Sequence, residues 1–311
     1  MRTAGVSPVD LALRAGDSPS RDGLALPHVP GADAAGVIDE VGAGVAGFTN
    51  GDEMFGAVDV ARLGGASAEF AVPAFWAAKP SSLPWEEAGA AGTSAETATR
   101  ALDLLGAGEG TTLLIDGAAG GVGSVAVQLA TARGARVIGT TRPESHSLLA
   151  GLGATPVAYG PGLAGRVRAL GVPRVDLALD VAGAGSLEEL ITVTGTATVV
   201  TLADFTGPER GARLSRGRYG GEPAGRHGLA LAAALSAEGR VRIPVQRVFP
   251  AARAAEAPRG RRAATAAGQD RHRPRGDARC RLTAGPGGHA GSGPWRTSRS
   301  HRSRGCVCSR Q

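Results

Sequence analysis

One glycine-rich segment limits the fold of this chain more than any other feature of the sequence. It follows an apolar run that predicts a β-strand and precedes an amphipathic pattern that predicts a helix. Its residues are Gly117, Ala118, Ala119, Gly120, Gly121, Val122 and Gly123. Counted from Ala118, the segment differs by one small residue from the G-x-G-x-x-G pattern of dinucleotide-binding turns. Its position between strand and helix therefore predicts a dinucleotide site.

Two of these glycines have distinct predicted roles. Gly120 lets the main chain approach a pyrophosphate, and Gly123 lets the helix pack closely on the strand. The amides at the start of the helix lack partners within the helix and can donate to phosphate oxygens. The alternative is a tight, glycine-rich turn that binds nothing. The four predicted strands that follow favour binding.

Five short β-rich runs alternate with helical patterns through the middle of the chain. The runs cover residues 111–116, 135–140, 155–159, 175–180 and 197–202. Apolar residues recur at helical spacing between the first two runs. Such alternation is typical of stacked β-α-β units, so we predict a doubly wound α/β domain with a parallel sheet. We assign this nucleotide-binding domain to residues 101–240.

The first third of the chain has a different pattern. Short strands are predicted at residues 34–41, 53–55 and 68–72, and turns rich in Gly and Pro separate them. This pattern favours a small, mostly β domain over residues 1–100.

Three later segments complete the predicted organisation. Residues 207–225 predict a loop, and residues 227–238 predict a helix. Residues 241–257 predict a return of the chain to the first domain.

A second glycine motif serves as a control on the first. Residues 42–47 match G-x-G-x-x-G letter for letter, but turn-forming residues follow them and no helix is predicted there. We therefore predict a hairpin connection at residues 42–47 and no dinucleotide site.

The choice of dinucleotide depends on the end of the second strand of the nucleotide-binding domain. An acid there would bind the ribose 2′-hydroxyl of NAD. The chain instead has Thr140, Thr141 and Arg142, whose hydroxyls and guanidinium suit a 2′-phosphate. This indicates NADP(H). Glu144 nearby opposes that preference, and the alternative for Arg142 is a solvated surface side chain.

Charge and cysteine divide the chain near residue 257. Residues 258–311 hold 13 of the 34 basic residues and two of the 28 acids, so this tail carries +11 and the body, with 21 basic and 26 acidic residues, carries −5. The tail also holds all three cysteines, Cys280, Cys306 and Cys308. Few aliphatic residues offset its ordering entropy, so we predict a disordered tail. Without a nucleic-acid-binding motif, we expect no nucleic-acid partner.

The hydropathy of the sequence and its first residues bear on where in the cell the protein is located. The sequence has no run of about 18 apolar residues and no apolar stretch after Met1-Arg2-Thr3 of the kind that a secretory signal needs. We therefore expect a cytoplasmic protein with no membrane partner.

The glycine segment and several further motifs resemble one enzyme family. These motifs are GADAAGVIDEV at residues 31–41, GDEMFG at 51–56, AAKP at 77–80 and DVAG at 180–183. Together they are similar to quinone oxidoreductases of the zinc-independent branch of the medium-chain dehydrogenases/reductases. The resemblance covers residues 3–257 and implies a GroES-like β domain, a Rossmann domain and a cofactor cleft between them.

The resemblance also implies that no metal is used. Zinc-dependent relatives have a Cys, a His and a Glu where this chain has Ser7, Ala32 and Asp33. Thiolate and imidazole ligands are therefore missing from those positions. Without zinc, the implied chemistry is hydride transfer from nicotinamide to a quinone or an α,β-unsaturated carbonyl, a small-molecule acceptor activated by its own conjugation.

Site residues outside the glycine segment follow from the resemblance alone. Thr97 is implied to line the cofactor cleft, with helix packing as the alternative, and Ser7 is a weak candidate for contact with the acceptor, with a turn role as the alternative. Tyr159 and Tyr219 lie outside the β domain, so we assign no catalytic acid and expect protons from solvent. A homodimer through an edge strand at residues 197–202 is also implied.

Both ends differ from the family pattern. Members usually have further β strands before the segment that resembles residues 4–10, and a final strand after the one that resembles residues 249–257. We expect a start-site error at one end and a shifted reading frame at the other. Three hypotheses remain: a competent reductase, a non-catalytic remnant that binds dinucleotide, and a protein that binds nucleic acid through its tail.

Overall fold

The computed structural model describes residues 1–18, 24, 26–60, 64–256, 269–273 and 279–282. Its strands form two sheets, one mainly antiparallel and one wholly parallel, with helices around the parallel sheet. This is the predicted α/β fold with a GroES-like and a Rossmann part. No helix within the described residues has the length and apolar character needed to cross a membrane.

The first sheet is built mainly from the first 80 residues. Its strands are β1 (Thr3–Val6), β2 (Asp33–Val41), β3 (Glu53–Val58), β4 (Pro73–Ala78), β11 (Val245–Pro250), β12 (Gln269–Arg273) and β13 (Arg279–Leu282). The order is β11-β12-β1-β2-β3-β4, and β13 pairs with β2. Helix α1 (Pro8–Ala15) follows β1. The chain thus returns to the first sheet through β11.

The hairpin between β2 and β3 confirms the interpretation of the second glycine motif. The two strands pair antiparallel, and residues 42–47 connect them. Gly44 and Gly47 have φ values of 82° and 79°, which glycine adopts without the strain that a side chain would cause. The motif is a turn, and no helix follows it.

The second sheet contains six parallel strands. They are β5 (Thr112–Asp116), β6 (Arg136–Thr141), β7 (Ala154–Ala158), β8 (Leu177–Asp180), β9 (Val199–Thr201) and β10 (Arg213–Leu214). The order is β10-β9-β8-β5-β6-β7. The chain therefore runs outward from β5 in one direction and from β8 in the other. This reversal opens a crevice at the carboxyl ends of β5 and β8.

Helices cover this sheet and connect it to the first. They are α2 (Trp85–Ala88), α3 (Gly92–Leu105), α4 (Gly121–Ala132), α5 (His146–Gly151), α6 (Leu163–Ala169), α7 (Leu187–Thr194) and α8 (His227–Ala237). Apolar residues of α4, such as Val125 and Leu129, pack in one buried cluster with Leu113 and Ile115 of β5. The periodicity that predicted α4 thus buries its apolar face on the sheet.

Helix α3 lies where the two sheets meet. Asp33 at the start of β2 is fully buried, and its carboxylate accepts hydrogen bonds from the amide and hydroxyl of Thr93 at 2.5 and 2.8 Å. Gly92 lies against the backbone of Gly56 in β3. The boundary that we predicted between residues 100 and 101 therefore falls inside a helix, and the domain bounds stay predictions.

The strand predicted at residues 68–72 is wrong. The extended segment is β4, which begins at Pro73 and pairs with β3. The amides of Ala66 and Ser67 donate to the carbonyls of Gly31 and Pro30 at 2.8 and 2.9 Å, so the chain just before residue 68 is tied to another loop. Local β propensity did not reveal this tertiary contact.

Two expectations about the far side of the parallel sheet also need correction. The strand predicted at residues 197–202 is shorter, at Val199–Thr201, and β10 covers it, so it is not an edge strand. The loop predicted at residues 207–225 contains β10 and two short 3-10 turns, Gly207–Arg210 and Gly217–Gly220. A two-residue strand is too short to give a periodic sequence signal.

The predicted disordered tail contains two strands. β12 pairs with β1 and β11, and β13 pairs with β2. The structure departs from our expectation at these two segments because backbone pairing to an open strand edge does not require apolar side chains. The remaining residues between 258 and 311 lie outside the described part of the chain.

The contact at Gly92 predicts that one added methyl group at this position strongly destabilises the fold. A Cβ at Gly92 would lie 2.0 Å from the carbonyl oxygen of Gly56, so Gly92→Ala should lower the free energy of unfolding by about 2 kcal/mol or more. Gly165 in α6 has open space around its Cβ position, so Gly165→Ala should raise it by about 0.5 kcal/mol or more. Urea denaturation measures both. Equal effects would contradict the packing of α3 on β3.

Candidate functional site: the crevice at the carboxyl ends of β5 and β8

The predicted glycine turn begins with a backbone that only glycine adopts easily. Gly117 follows β5 with a φ of 78°. A Cβ at this position would lie 3.0 Å from the Cβ of Ala182, which follows β8. Ala118 donates its amide to the carbonyl of Thr140 at 3.1 Å, which fixes the turn to the end of β6. The turn therefore lies across the ends of three neighbouring strands.

The start of α4 offers amides to a ligand. Gly120 is the N-cap residue, and no side chain caps the helix. The first bond within the helix runs from the Ser124 amide to the Gly120 carbonyl at 2.9 Å, so the amides of Gly121, Val122 and Gly123 precede the helical hydrogen-bond pattern. These amides and the positive end of the helix dipole suit a phosphate group. The geometry fits the pyrophosphate of a dinucleotide.

Gly123 brings helix and turn into contact. A Cβ there would lie 2.3 Å from the carbonyl oxygen of Gly117 and 2.8 Å from the Cα of Ala118, both backbone atoms. No side chain fits without moving the helix away from β5. This is the close packing that the motif predicts for its last glycine.

Thr140 supports the turn from below. Its side chain is 1% exposed, its hydroxyl donates to Asp116 Oδ1 at 2.5 Å, and it accepts the Gly117 amide at 3.0 Å. The hydroxyl is therefore bonded within the protein. The predicted contact between Thr140 and a 2′-phosphate stays a prediction.

Thr141 and Arg142 are the other two predicted 2′-phosphate contacts. Thr141 ends β6, and its hydroxyl makes no hydrogen bond within the described part of the chain. Arg142 is half-buried and forms no ion pair with any described residue, while Glu144 is exposed. These two side chains lie beside the turn that Ala118 ties to β6, and their role stays a prediction.

Two carboxyl groups lie beneath the turn. Asp116 and Asp180 are paired in register at the ends of β5 and β8, and each is 1% exposed. Burial raises the pKa of Asp116, and the neighbouring Asp180 raises it further, while the hydrogen bond from Thr140 lowers it. Asp180 Oδ1 and Oδ2 accept hydrogen bonds from Gly183 and Thr201 at 2.8 and 2.7 Å. The motif analysis did not identify this pair, although an Asp directly before the glycines is visible in the sequence.

A buried ionic network holds the segment after β10. Arg100 on α3 contacts Glu96 at 3.0 Å and Glu222 at 3.5 Å, and its guanidinium donates to Ser215. Thr97, the residue implied to line the cleft, donates its hydroxyl to Glu96 at 3.2 Å. Sequence analysis missed this network because its members are far apart in the chain. The lining role of Thr97 stays a prediction.

Comparison with known proteins agrees with this architecture. The model of the alcohol dehydrogenase GroES-like domain matches residues 1–99, and the model of the zinc-binding dehydrogenase domain matches residues 152–269. The chain is therefore similar to alcohol dehydrogenases over its first domain and to zinc-binding dehydrogenases over residues 152–269. The expected resemblance to quinone oxidoreductases is confirmed by the relatives below.

Two curated relatives show which enzymes the chain is similar to. The quinone oxidoreductase of Rattus norvegicus is 38% identical over 152 residues, which are 48% of this chain and 45% of the relative. The 2-methylene-furan-3-one reductase of Solanum lycopersicum is 38% identical over 160 residues, 49% of this chain and 41% of the relative. The matches thus span less than half the length of these relatives.

A solved structure extends the similarity over most of the described chain. A mycobacterial protein in complex with NADPH has a TM-score of 0.69 and 25% identity, covering 88% of this chain and 89% of its own. The fold of this chain is therefore similar to the fold of that protein.

The positions that the resemblance pairs with zinc ligands make contacts within this chain. Ser7 is 4% exposed, and its hydroxyl donates to Asp10 at 2.8 Å. The weakly predicted contact of Ser7 with the acceptor stays a prediction. Asp10 Oδ1 accepts the amides of Gly31 and Ala32 at 3.1 and 3.0 Å. Within the described residues, no three His, Cys, Asp or Glu side chains form a group that could hold a metal.

Asp10 gives a test of this local structure. Its two oxygens accept four hydrogen bonds, from the amide and hydroxyl of Ser7 and from the two loop amides. Asp10→Asn offers one oxygen to these donors and turns an NH₂ group toward others, so the free energy of unfolding should fall by about 2 kcal/mol. Asp17→Asn, at an exposed position, should change it by less than about 0.5 kcal/mol. Similar effects in urea denaturation would contradict the network.

Proposed function

We propose that this chain binds NADP(H) in the crevice and transfers hydride from the nicotinamide to a quinone or an α,β-unsaturated carbonyl without zinc. The single observation that supports the proposal best is the turn at residues 117–123. It combines a backbone that only glycine allows at Gly117, an uncapped helix start at Gly120 and a close contact at Gly123. The cytoplasmic location expected from the sequence belongs to the same proposal.

The binding of the dinucleotide follows from the groups at the edge of the sheet. The amides of Gly121 and Val122 donate to the pyrophosphate, and the dipole of α4 stabilises its charge. Arg142 neutralises a 2′-phosphate, and Thr141 donates a hydrogen bond to it. This arrangement favours NADP(H) over NAD(H), which lacks the third phosphate.

The acceptor class follows from the absence of zinc ligands at the aligned positions. Ser7 and Asp33 are bonded to other parts of the protein, and Ala32 has no ligand atom. The bound nicotinamide would supply the hydride. A conjugated carbonyl or quinone needs no metal because conjugation spreads the developing charge onto oxygen. The protein orients the two reactants and excludes water, and solvent supplies the proton.

A titration with matched variants tests this proposal. NADPH should raise the melting temperature of the full chain more than NADH does, and a quinone or enone should then oxidise NADPH. Gly120→Asp places a carboxylate at the phosphate site, with the Cβ 3.2 Å from the Gly117 carbonyl, and should abolish the shift. Gly165→Asp adds the same charge to an exposed position on α6 and should leave the shift intact.

The outcomes separate the hypotheses. Binding of NADPH without its oxidation by either a quinone or an enone would identify the non-catalytic dinucleotide-binding protein. No shift with either nucleotide, or equal shifts in the Gly120→Asp variant and the parent chain, would reject the site itself.

A further inference from the structure

Two acidic residues lie beneath the glycine turn, where their negative charge would oppose the binding of an anion. Asp116 and Asp180 lie side by side at the ends of adjacent strands, and both are buried. Two ionised carboxylates there would repel each other and a pyrophosphate above them. One of the two acids is therefore either protonated or has a role other than contact with the anion.

The hydrogen bonds distinguish the two acids. Each oxygen of Asp180 accepts a hydrogen bond, one from the Gly183 amide and one from the Thr201 hydroxyl. Asp116 Oδ1 accepts the Thr140 hydroxyl, but Asp116 Oδ2 is buried and has no hydrogen-bond partner within the described residues. A buried carboxylate oxygen without a partner is costly when charged. Protonation of Asp116 at Oδ2 removes this cost, whereas both oxygens of Asp180 already have donors.

Asp116 is also connected to the binding backbone. Its Oδ1 accepts the hydroxyl of Thr140, and the oxygen of that hydroxyl accepts the Gly117 amide at 3.0 Å. Gly117 is the residue with the left-handed backbone that starts the turn. A chain of two hydrogen bonds therefore runs from Asp116 to the first amide of the dinucleotide turn.

We propose that Asp116 is a positioning residue of the dinucleotide site that works in its neutral form. Through Thr140 it holds Gly117 in place, and its proton keeps a second negative charge away from the pyrophosphate. This inference rests on the proposed dinucleotide site and deepens it. Dinucleotide affinity is highest when Asp116 is protonated and falls when the group ionises.

The direction of the pH dependence follows from the groups around Asp116. These are Thr140 on β6, Asp180 on β8, Ser186 before α7 and the Gly117 amide. Burial raises the pKa of Asp116 above its ordinary value of 3.8, the charge of Asp180 adds to that rise, and the nearby hydroxyl groups and the Gly117 amide oppose it. As the pH rises through this pKa, the added charge opposes the binding of an anion.

The test compares NADP⁺ dissociation constants across pH for three forms of the full chain. NADP⁺ is the probe because it survives acid conditions that destroy NADPH. In the parent chain, the Kd should rise with pH above the pKa of Asp116, by at most about tenfold per pH unit for a single proton. Asp116→Asn keeps the shape and an acceptor for Thr140 but carries no charge, so this rise should disappear.

Asp176→Asn is the matched control. Asp176 lies before the start of β8, accepts the Thr112 amide at 2.8 Å and lies at the opposite end of the sheet from the turn. This variant should show the same pH dependence as the parent chain. Titration of the 2′-phosphate itself affects all three forms equally, so the difference between the Asp116→Asn and parent curves measures Asp116 alone.

Thr140 provides a second readout. Thr140→Ser keeps the hydroxyl and should retain NADP⁺ affinity within about threefold, whereas Thr140→Val breaks the link and should weaken it about tenfold. Parallel pH curves for the parent chain and Asp116→Asn would overturn the inference while leaving the dinucleotide site intact. Failure of the parent chain to bind NADP⁺ at any pH would instead overturn the proposed function.

Discussion

The close contact between the start of α4 and the backbone of Gly117 is the constraint on which the rest of the structure depends. Because a side chain at Gly123 would overlap that backbone, helix and strand approach to a distance that only glycine permits. The contact fixes the direction of α4, aims its first amides at the crevice and places the turn above β5, β6 and β8. The remaining site residues take their positions from these strand ends.

The groups beneath the turn show how a binding backbone is supported. Thr140 connects β6 to Gly117, and Asp116 connects β5 to Thr140. On the other side of the crevice, Asp180 fixes the backbone at Gly183 and the end of β9 through Thr201. Polar side chains thus join β5 with β6 and β8 with β9 at the edge where a ligand of an open α/β sheet binds.

Sequence analysis predicted the parts of this structure that depend on local pattern. The glycine turn, the alternation of strands and helices and the hairpin at residues 42–47 all follow from short segments with clear turn chemistry. It could not predict that Thr140 faces inward, because that depends on how β6 pairs with β5. It also missed Asp116 beside Asp180 and the Arg100 network, since the strand and loop partners are distant in the chain. The composition of the tail predicted disorder at β12 and β13, because their pairing is made by backbone hydrogen bonds and leaves no compositional signal.

We propose that a dinucleotide binds the amides at the start of α4, and hydrogen–deuterium exchange of the full chain, with and without NADP⁺, measures this contact. A bound dinucleotide should slow exchange in peptides that cover residues 117–123 and 140–142 and leave exchange in the hairpin at residues 42–47 unchanged. Unchanged exchange at the turn, with protection confined to other parts of the chain, would contradict it.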